Sequence, residues 1–320
     1  MTTILVTGAN GFIGRALCAE LARREYCVRG VVRDLSRSLN LPCKMTEIGD
    51  IEPAMDWSAT LKGVKVVVHL VARVHKMCQS VPDPLKEFRR INVASTENLA
   101  RQAVLAGVRR FIYLSSIKVN GEETFPGRPF TEQDLSAPVD PYSISKYEAE
   151  DRLRQVAGET AMEVVIIRPS LVYGPGVKAN FLSLMRCVNK RIPLPLGAIQ
   201  NKRSFVALDN LVDLIIICIT HPAAGNQTFL ASDGEDLSTP ELLCRMGMAL
   251  GTPARLFSIP MGLLQIGALF LGKRAAAQRL CGSLQVDISK ARTLLDWTPP
   301  VSVDDALRKT AHYFLGTSPQ

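Results

Sequence analysis

The feature that most constrains the fold of this chain is a glycine-rich loop near its first residues. Residues 4–7 form a short apolar run, and glycines then recur at three-residue spacing before an amphipathic pattern begins. Such spacing permits a tight turn, close approach of the backbone to a phosphate, and close packing of helix on strand. This order predicts a pyrophosphate site at a helix N-terminus. Its predicted contacts are Gly8, Asn10, Gly11, Phe12, Ile13 and Gly14.

Short runs rich in valine and isoleucine then alternate with helical patterns. Strands are predicted at residues 4–7, 28–32, 66–70, 111–115, 164–168 and 228–231, and helices at 15–24, 95–106, 142–157 and 209–220. Apolar strands separated by helices indicate an α/β fold with a doubly wound parallel sheet of the Rossmann type. We expect a dinucleotide-binding domain at residues 1–170 plus about 205–232, and a substrate-binding lobe at about 171–204 and 233–320.

Composition excludes several classes of function. The net charge of +8 comes from scattered residues, without a basic stripe, so nucleic acid binding is not expected. The eight cysteines form no Cys-x-x-Cys pair and the four histidines have no metal-ligand spacing, which predicts free thiols in a reducing compartment and no metal. The longest uncharged apolar run, residues 256–272, is short for a membrane span. We therefore expect a cytoplasmic protein without a transmembrane segment.

The end of the second strand bears on the choice of dinucleotide. Arg33 follows the apolar run and suits a ribose 2′-phosphate, whereas Asp34, one residue later, suits a free 2′-hydroxyl. Arg33 leads to a slight preference for NADP(H) over NAD(H). Asp50, after a probable third strand, is placed to reach the adenine.

Three side chains form a candidate acid–base set. Tyr142 and Lys146 lie one helical turn apart and therefore share a face, and Ser116 ends the strand at 111–115. A phenol has a reference pKa near 10, and a nearby ammonium and a positive nicotinamide ring would lower it. We expect Tyr142 to exchange a proton with a carbinol or ketone, Lys146 to hold the nicotinamide ribose, and Ser116 to orient the substrate oxygen.

Together these motifs resemble the extended short-chain dehydrogenases/reductases of the NAD-dependent epimerase/dehydratase family, over essentially the full chain. The resemblance rests on residues 7–14, 50–51, 69–72, 92–93, 114–121, 142–146, 168–176 and 203–209. It implies the catalytic residues Ser116, Tyr142 and Lys146. It implies further cofactor contacts at Asp50, Ile51, Leu70, Val71, Ala72, Asn92, Lys146 and Arg168. It implies substrate contacts at Ser116, Lys118, Asn180, Arg203 and Arg279.

Departures from the family pattern narrow the reaction. The 4,6-dehydratases carry an Asp-Glu pair directly after the catalytic hydroxyl residue, and this chain has Ile117 and Lys118 there, so elimination of water is not expected. Many 4-epimerases have Asn where this chain has Leu171. The resemblance favours a reductase of a UDP-linked 4-keto-6-deoxy-N-acetylhexosamine, active as a homodimer in bacterial surface polysaccharide synthesis. A UDP-hexose 4-epimerase is the alternative, and a non-catalytic dinucleotide sensor is the remote one.

Overall fold

The computed structural model describes residues 2–37, 41–73, 83–125, 127–260, 262–263, 278 and 280–317. Within them the strands form a seven-stranded and a three-stranded sheet. The larger sheet contains β1 (Thr3–Thr7), β2 (Cys27–Val32), β3 (Lys44–Glu47), β4 (Val66–His69), β5 (Arg110–Leu114), β6 (Glu163–Pro169) and β9 (Thr228–Ala231). The smaller sheet contains β7 (Leu171–Tyr173), β8 (Arg203–Ala207) and β10 (Asp236–Leu237).

The helices alternate with the strands in the first part of the chain. They are α1 (Phe12–Arg23), α2 (Ser58–Leu61), α3 (Pro84–Phe88), α4 (Ser95–Leu105), α5 (Pro141–Glu159), α6 (Ala179–Asn189), α7 (Leu208–Thr220), α8 (Thr239–Ala249), α9 (Ser289–Leu295) and α10 (Val303–Thr317). A π-helical turn at Arg89–Ala94 joins α3 to α4. None of the helices in the described part of the chain has the length and hydrophobicity of a membrane-spanning segment.

The larger sheet is parallel throughout, in the order β3-β2-β1-β4-β5-β6-β9. Its side chains alternate between two buried layers: Ile4 and Val6 of β1 pack into one, and Leu5 into the other. A sheet buried on both faces explains why its strands are apolar along their length. The predicted doubly wound α/β fold is confirmed. Its strand order reverses between β1 and β4, where such folds bind ligands.

A second apolar core lies under the smaller sheet. It is formed mainly by buried faces of α6, α8 and α10, including Phe181, Met185, Leu243, Met246 and Leu307. One residue separates the end of β6 from the start of β7. The smaller sheet therefore begins at the carboxyl end of the larger sheet. The chain returns to the larger sheet through α7, which packs beside α1, and through the edge strand β9.

The helix that carries Tyr142 has a well-defined start. Asp140 is the N-cap of α5: its side chain accepts a hydrogen bond from the backbone N–H of Ser143, and the Ser143 hydroxyl accepts one from the backbone N–H of Asp140. Pro141 occupies the first turn, where its missing N–H costs nothing. This reciprocal cap sets where α5 begins and therefore where its first-turn residues lie.

Candidate active site

The glycine loop crosses the carboxyl end of β1 and leads into α1. Gly8 has φ +70°, and its N–H donates to the carbonyl of Val31 on the neighbouring strand at 3.0 Å. A Cβ on Gly14 would lie 2.1 Å from the Gly8 carbonyl oxygen, so only glycine permits this packing of helix on loop. Gly11 caps α1 without a side-chain hydrogen bond, which leaves first-turn N–H groups to bind an anion.

A cleft of about 350 Å³ opens beside this loop. It lies over the carboxyl ends of β1, β2 and β4, next to the point where the strand order reverses. A glycine cradle with a helix N-terminus at one end of such a cleft fits the pyrophosphate and adenosine of a dinucleotide. The predicted cofactor residues that line it are Gly8, Asn10, Arg33, Asp50, Ile51, Val71 and Ala72.

Arg33, expected to favour a 2′-phosphate, contacts Asp50, which was expected to reach the adenine. The Arg33 guanidinium lies 3.3 Å from the Asp50 carboxylate, and both side chains are more than half exposed. The Asp34 carboxylate instead accepts hydrogen bonds from the backbone and hydroxyl of Ser36. The Asp50 carboxylate thus reduces the positive potential of Arg33, where a 2′-phosphate would need a full positive charge.

Asn92 lies in the π-helical turn and joins two parts of the site. Its amide oxygen accepts from the backbone N–H of Arg73 at 2.8 Å, and its amide nitrogen donates to the Ser145 hydroxyl at 3.0 Å. The side chain is 1% exposed. Asn92 therefore ties the segment after β4, which lines the cleft, to the helix that carries Tyr142. A π-helical turn is frequent at functional sites.

Two consecutive serines follow β5 and have different surroundings. Ser115 is buried and donates its hydroxyl hydrogen to the Glu150 carboxylate of α5 at 2.5 Å. Ser116 is half-buried, has an extended backbone and caps the short helical turn Ile117–Val119 by accepting from the backbone N–H of Lys118. Ser116 is thus the more accessible of the two serines, and its role toward a substrate oxygen stays a prediction.

Tyr142 and Lys146 lie on the inner face of α5. Lys146 is 2% exposed, donates to the carbonyl oxygen of Leu114 at 2.8 Å and lies 4.4 Å above the ring of Tyr113. Burial lowers the pKa of Lys146 to about 7, and the Glu150 carboxylate opposes that shift. Burial raises the pKa of Tyr142, and the nearby Asp140 carboxylate raises it further. The surrounding protein thus opposes the lowering expected from the sequence, because desolvation destabilises the phenolate.

His69, at the end of β4, lies next to Tyr113 and near Lys146. Its two ring nitrogens lie 2.8 Å from the Thr7 hydroxyl and 3.1 Å from the Thr96 hydroxyl. Its ring stacks on Tyr113 at a centroid separation of 6.0 Å. Burial lowers the pKa of His69 to about 3, and the Lys146 ammonium adds to that effect. The imidazole is therefore neutral at physiological pH.

Arg168 lies behind the site in a buried ion pair. Its guanidinium contacts both carboxylate oxygens of Glu150, the Asn120 side chain at 2.9 Å and the Ser136 hydroxyl at 3.4 Å. Arg168 is 3% exposed and the side chain of Glu150 is fully buried. The guanidinium of Arg168 is therefore held by protein partners, and the cofactor contact that the resemblance implies stays a prediction.

The predicted substrate contacts are dispersed. Lys118 forms ion pairs with Asp140 and with Glu122. Asn180 is exposed in the first turn of α6. Arg203 opens β8 and donates to the carbonyl oxygen of Gly282 at 2.8 Å, and burial lowers its pKa. Arg279 lies outside the described residues.

Several functional neighbours were missed by sequence reasoning. Arg73 and Arg90 line the cleft, and Asp140 is paired with Lys118. Glu150 was missed as well, although it follows Lys146 by four residues and shares the inner face of α5, so helical spacing alone would have placed it there. The positions of Arg73 and Arg90 depend on the π-helical turn, which has no comparable sequence signal.

The fold and these side chains define a class of enzyme that transfers hydride to and from a dinucleotide, with a buried phenol for proton transfer. Residues 4–231 match the NAD dependent epimerase/dehydratase family, and the chain belongs to that family. It is 48% identical over 316 residues to a UDP-glucose 4-epimerase of Vibrio cholerae, covering 98% of this chain and 95% of the relative. It is 30% identical over 332 residues to a UDP-glucose 4-epimerase of Mycolicibacterium smegmatis, covering 98% and 99%.

Solved structures share the fold at full length. A UDP-glucose 4-epimerase with UDP-glucose from Thermotoga maritima superposes with a TM-score of 0.79 at 22% identity, covering 99% of both chains. A UDP-glucuronic acid 4-epimerase from Bacillus cereus, in complex with UDP-glucuronic acid and NAD, superposes with a TM-score of 0.80 at 24% identity, covering 99% of this chain and 100% of the other.

These similarities correct two expectations. The slight preference for NADP(H) has no support, because the family that matches the chain is described as NAD dependent. The relatives also favour the alternative function, a UDP-hexose 4-epimerase, over the 4-ketoreductase. The chain is an enzyme of the NAD-dependent epimerase/dehydratase family.

Proposed function

We propose that this protein is a UDP-hexose 4-epimerase that uses NAD. The observation that carries the proposal is its 48% identity, over 98% of the chain, to a UDP-glucose 4-epimerase of Vibrio cholerae. The reaction requires Ser116, Tyr142 and Lys146, and Asn92 links α5, which carries the last two, to Arg73 of the nucleotide cleft. When bound, NAD supplies the hydride acceptor and a positive ring that offsets the desolvation of the phenol.

The residues act in a simple order. Tyr142 takes the proton of the sugar C4 hydroxyl while the C4 hydride is transferred, and returns it after the 4-keto sugar has presented its opposite face. Ser116 donates a hydrogen bond to the C4 oxygen and keeps it near the phenol. Lys146 is held by the Leu114 carbonyl oxygen, so its ammonium stays beside the reacting groups and does not reach solvent.

The substrate-binding lobe is proposed to hold the UDP group. Among the described residues, no carboxylate lies within ion-pair distance of Arg203, and its described hydrogen bond goes to the neutral carbonyl of Gly282. Burial lowers the pKa of Arg203 and the nearby Glu123 carboxylate only opposes that shift, so a bound anion would further stabilise this desolvated cation. We therefore place the UDP diphosphate at Arg203, with Asn180 as a further contact. We propose residues 171–204 and 233–320 as this lobe.

The 4-ketoreductase remains as a second candidate because of Leu171. This side chain is 41% exposed at the start of β7, where many 4-epimerases have an asparagine. The cofactor behaviour distinguishes the two candidates. An epimerase retains NAD through each turnover and needs none added, whereas a reductase consumes a reduced cofactor stoichiometrically.

The test combines cofactor analysis with a tyrosine variant. The purified protein is expected to contain NAD and to interconvert UDP-glucose and UDP-galactose, followed by NMR, without added cofactor. Tyr142→Phe is expected to lose about three orders of magnitude in kcat and to keep its NAD, because only the proton transfer is removed. Tyr313→Phe, a half-exposed control on α10, is expected to be unaffected. Stoichiometric NADPH oxidation with a UDP-4-keto sugar, without epimerisation, would contradict the proposal.

A further inference from the structure

Lys118 occupies a position where two parts of the active site meet. It lies in the short helical turn Ile117–Val119, directly after Ser116, and its backbone N–H donates to the Ser116 hydroxyl oxygen at 3.3 Å. Its side chain crosses to the other part, where its ammonium donates to the Asp140 carboxylate at the N-terminus of α5. One residue therefore contacts both the loop of the serine hydroxyl and the cap of the helix that carries the phenol.

The two oxygens of the Asp140 carboxylate accept hydrogen bonds from different partners. One oxygen accepts the Ser143 backbone N–H and caps α5, and the other accepts the Lys118 ammonium. The side chains of Asp140 and Lys118 are 17% and 28% exposed, so solvent screens their attraction less than on an open surface. Glu122, at 3.3 Å from the ammonium, is a second and more exposed partner.

The charge on Asp140 matters because Tyr142 follows it by two residues. Asp140 lies close enough to oppose ionisation of the phenol. The other titratable groups around the phenol are Lys146 on α5 and Tyr113 on β5, and α3 contributes the uncharged ring of Phe88 at a centroid distance of 6.1 Å. Lys118 is a cation that directly contacts the Asp140 carboxylate.

We propose that Lys118 is a positioning residue that joins the Ser116 loop to the start of α5 and offsets the charge of Asp140 beside Tyr142. This assignment rests on the proposed function, in which Tyr142 exchanges the proton. It replaces the substrate contact that the family resemblance implies for Lys118. Its physical basis is a charge-assisted hydrogen bond that fixes two elements and neutralises a carboxylate at the same time.

The test compares variants that remove either charge. Lys118→Met removes this cation from Asp140, so the acidic limb of the kcat/KM profile is expected to move up by about one pH unit, with KM for the UDP-sugar unchanged. Lys118→Arg is expected to retain the wild-type profile. Asp140→Asn keeps the capping oxygen and removes the charge, so the limb should move to lower pH. The double variant Lys118→Met, Asp140→Asn should return toward wild type.

A matched control is the exposed pair between Lys309 and Asp209, in which a lysine also contacts a first-turn aspartate. Lys309→Met is expected to leave the pH profile unchanged. An unshifted limb in Lys118→Met, or a raised KM with an unshifted limb, would overturn the proposal, and the latter would assign Lys118 to the substrate. If Lys118→Met does not fold, Asp140→Asn decides the matter, since an unshifted limb there is equally contradictory.

A second readout separates this proposal from the proposed function. Ultraviolet titration of the purified protein, taken as the difference between each variant and its Tyr142→Phe counterpart, reports ionisation of the Tyr142 phenol without turnover. Lys118→Met is expected to move that titration to higher pH and Asp140→Asn to lower pH. If the wild type does not epimerise UDP-sugars but these shifts occur, the proposed function fails and the role of Lys118 stands. If the shifts are absent, the role of Lys118 fails independently.

Discussion

At the scale of single residues, burial shifts the pKa values of the ionisable groups in the site more than neighbouring charges do. Lys146, His69 and Tyr142 all have pKa values displaced toward the neutral form, and burial is the largest cause for each. The sequence could show that an ammonium lies one turn from a phenol, but it could not show that both are desolvated. Desolvation thus favours the neutral form of each of these three groups in the folded protein.

His69 provides a test of this effect on stability. Its pKa falls from 6.5 to about 3 on folding, so between these values the unfolded chain binds a proton that the folded chain does not. The contribution of His69 to the free energy of unfolding is therefore fully present above about pH 6.5. It declines as the pH falls, by up to about 1.4 kcal/mol per pH unit. His69→Gln is expected to show a flatter decline from pH 6.5 to 4 in urea unfolding. His312→Gln, an exposed histidine, should behave as wild type, and equal slopes for His69→Gln and wild type would contradict the prediction.

At the scale of elements, the site depends on how α5 is held against β5 and β6. The buried Glu150 accepts from Ser115 after β5 and from Arg168 on β6, while the π-helical turn contributes Asn92 to the same helix. Each contact joins residues more than 15 positions apart. Together they hold α5, the helix that carries Tyr142, against the sheet.

The Glu150 carboxylate offers a matched pair of arginine variants. Arg168 and Arg154 both contact it, but their side chains are 3% and 43% exposed. Arg168→Met is expected to lower the free energy of unfolding by about 3–5 kcal/mol, because it leaves a buried charge without its main partner. Arg154→Met should cost less than about 1 kcal/mol. Urea unfolding measures both, and NAD affinity should change in neither. A weakened NAD affinity in a stably folded Arg168→Met would instead support a cofactor contact.

At the scale of the whole molecule, a groove of about 950 Å³ lies next to the nucleotide cleft, and Arg90 lines both. It runs between the π-helical turn, α4 and α5, and Arg89, Val93, Tyr147 and Asp151 are among its lining residues. Tyr147 is 38% exposed there on the outer face of α5. We propose that this face forms the homodimer interface that the family resemblance implies.

A charge placed in this groove should separate the subunits. Sedimentation is expected to show a dimer for the wild type and a monomer for Tyr147→Arg, because an unpaired guanidinium in an interface costs several kcal/mol. Tyr313→Arg is the control, since this tyrosine is similarly exposed, at 47%, on α10. A wild type that sediments as a monomer, or a dimer unaffected by Tyr147→Arg, would contradict the prediction.

The sequence by itself predicted the parallel sheet and the glycine loop, which the structure contains, and the candidate set of Ser116, Tyr142 and Lys146, which stays a prediction. These follow from local rules: strand apolarity, glycine spacing and the 3.6-residue helical period. Only the tertiary structure decided which charges meet. It paired Arg33 with Asp50, Arg168 with Glu150 and Lys118 with Asp140. The reason is physical, since pairing and desolvation depend on contacts between residues distant in the chain, and no local pattern encodes which cation reaches which carboxylate.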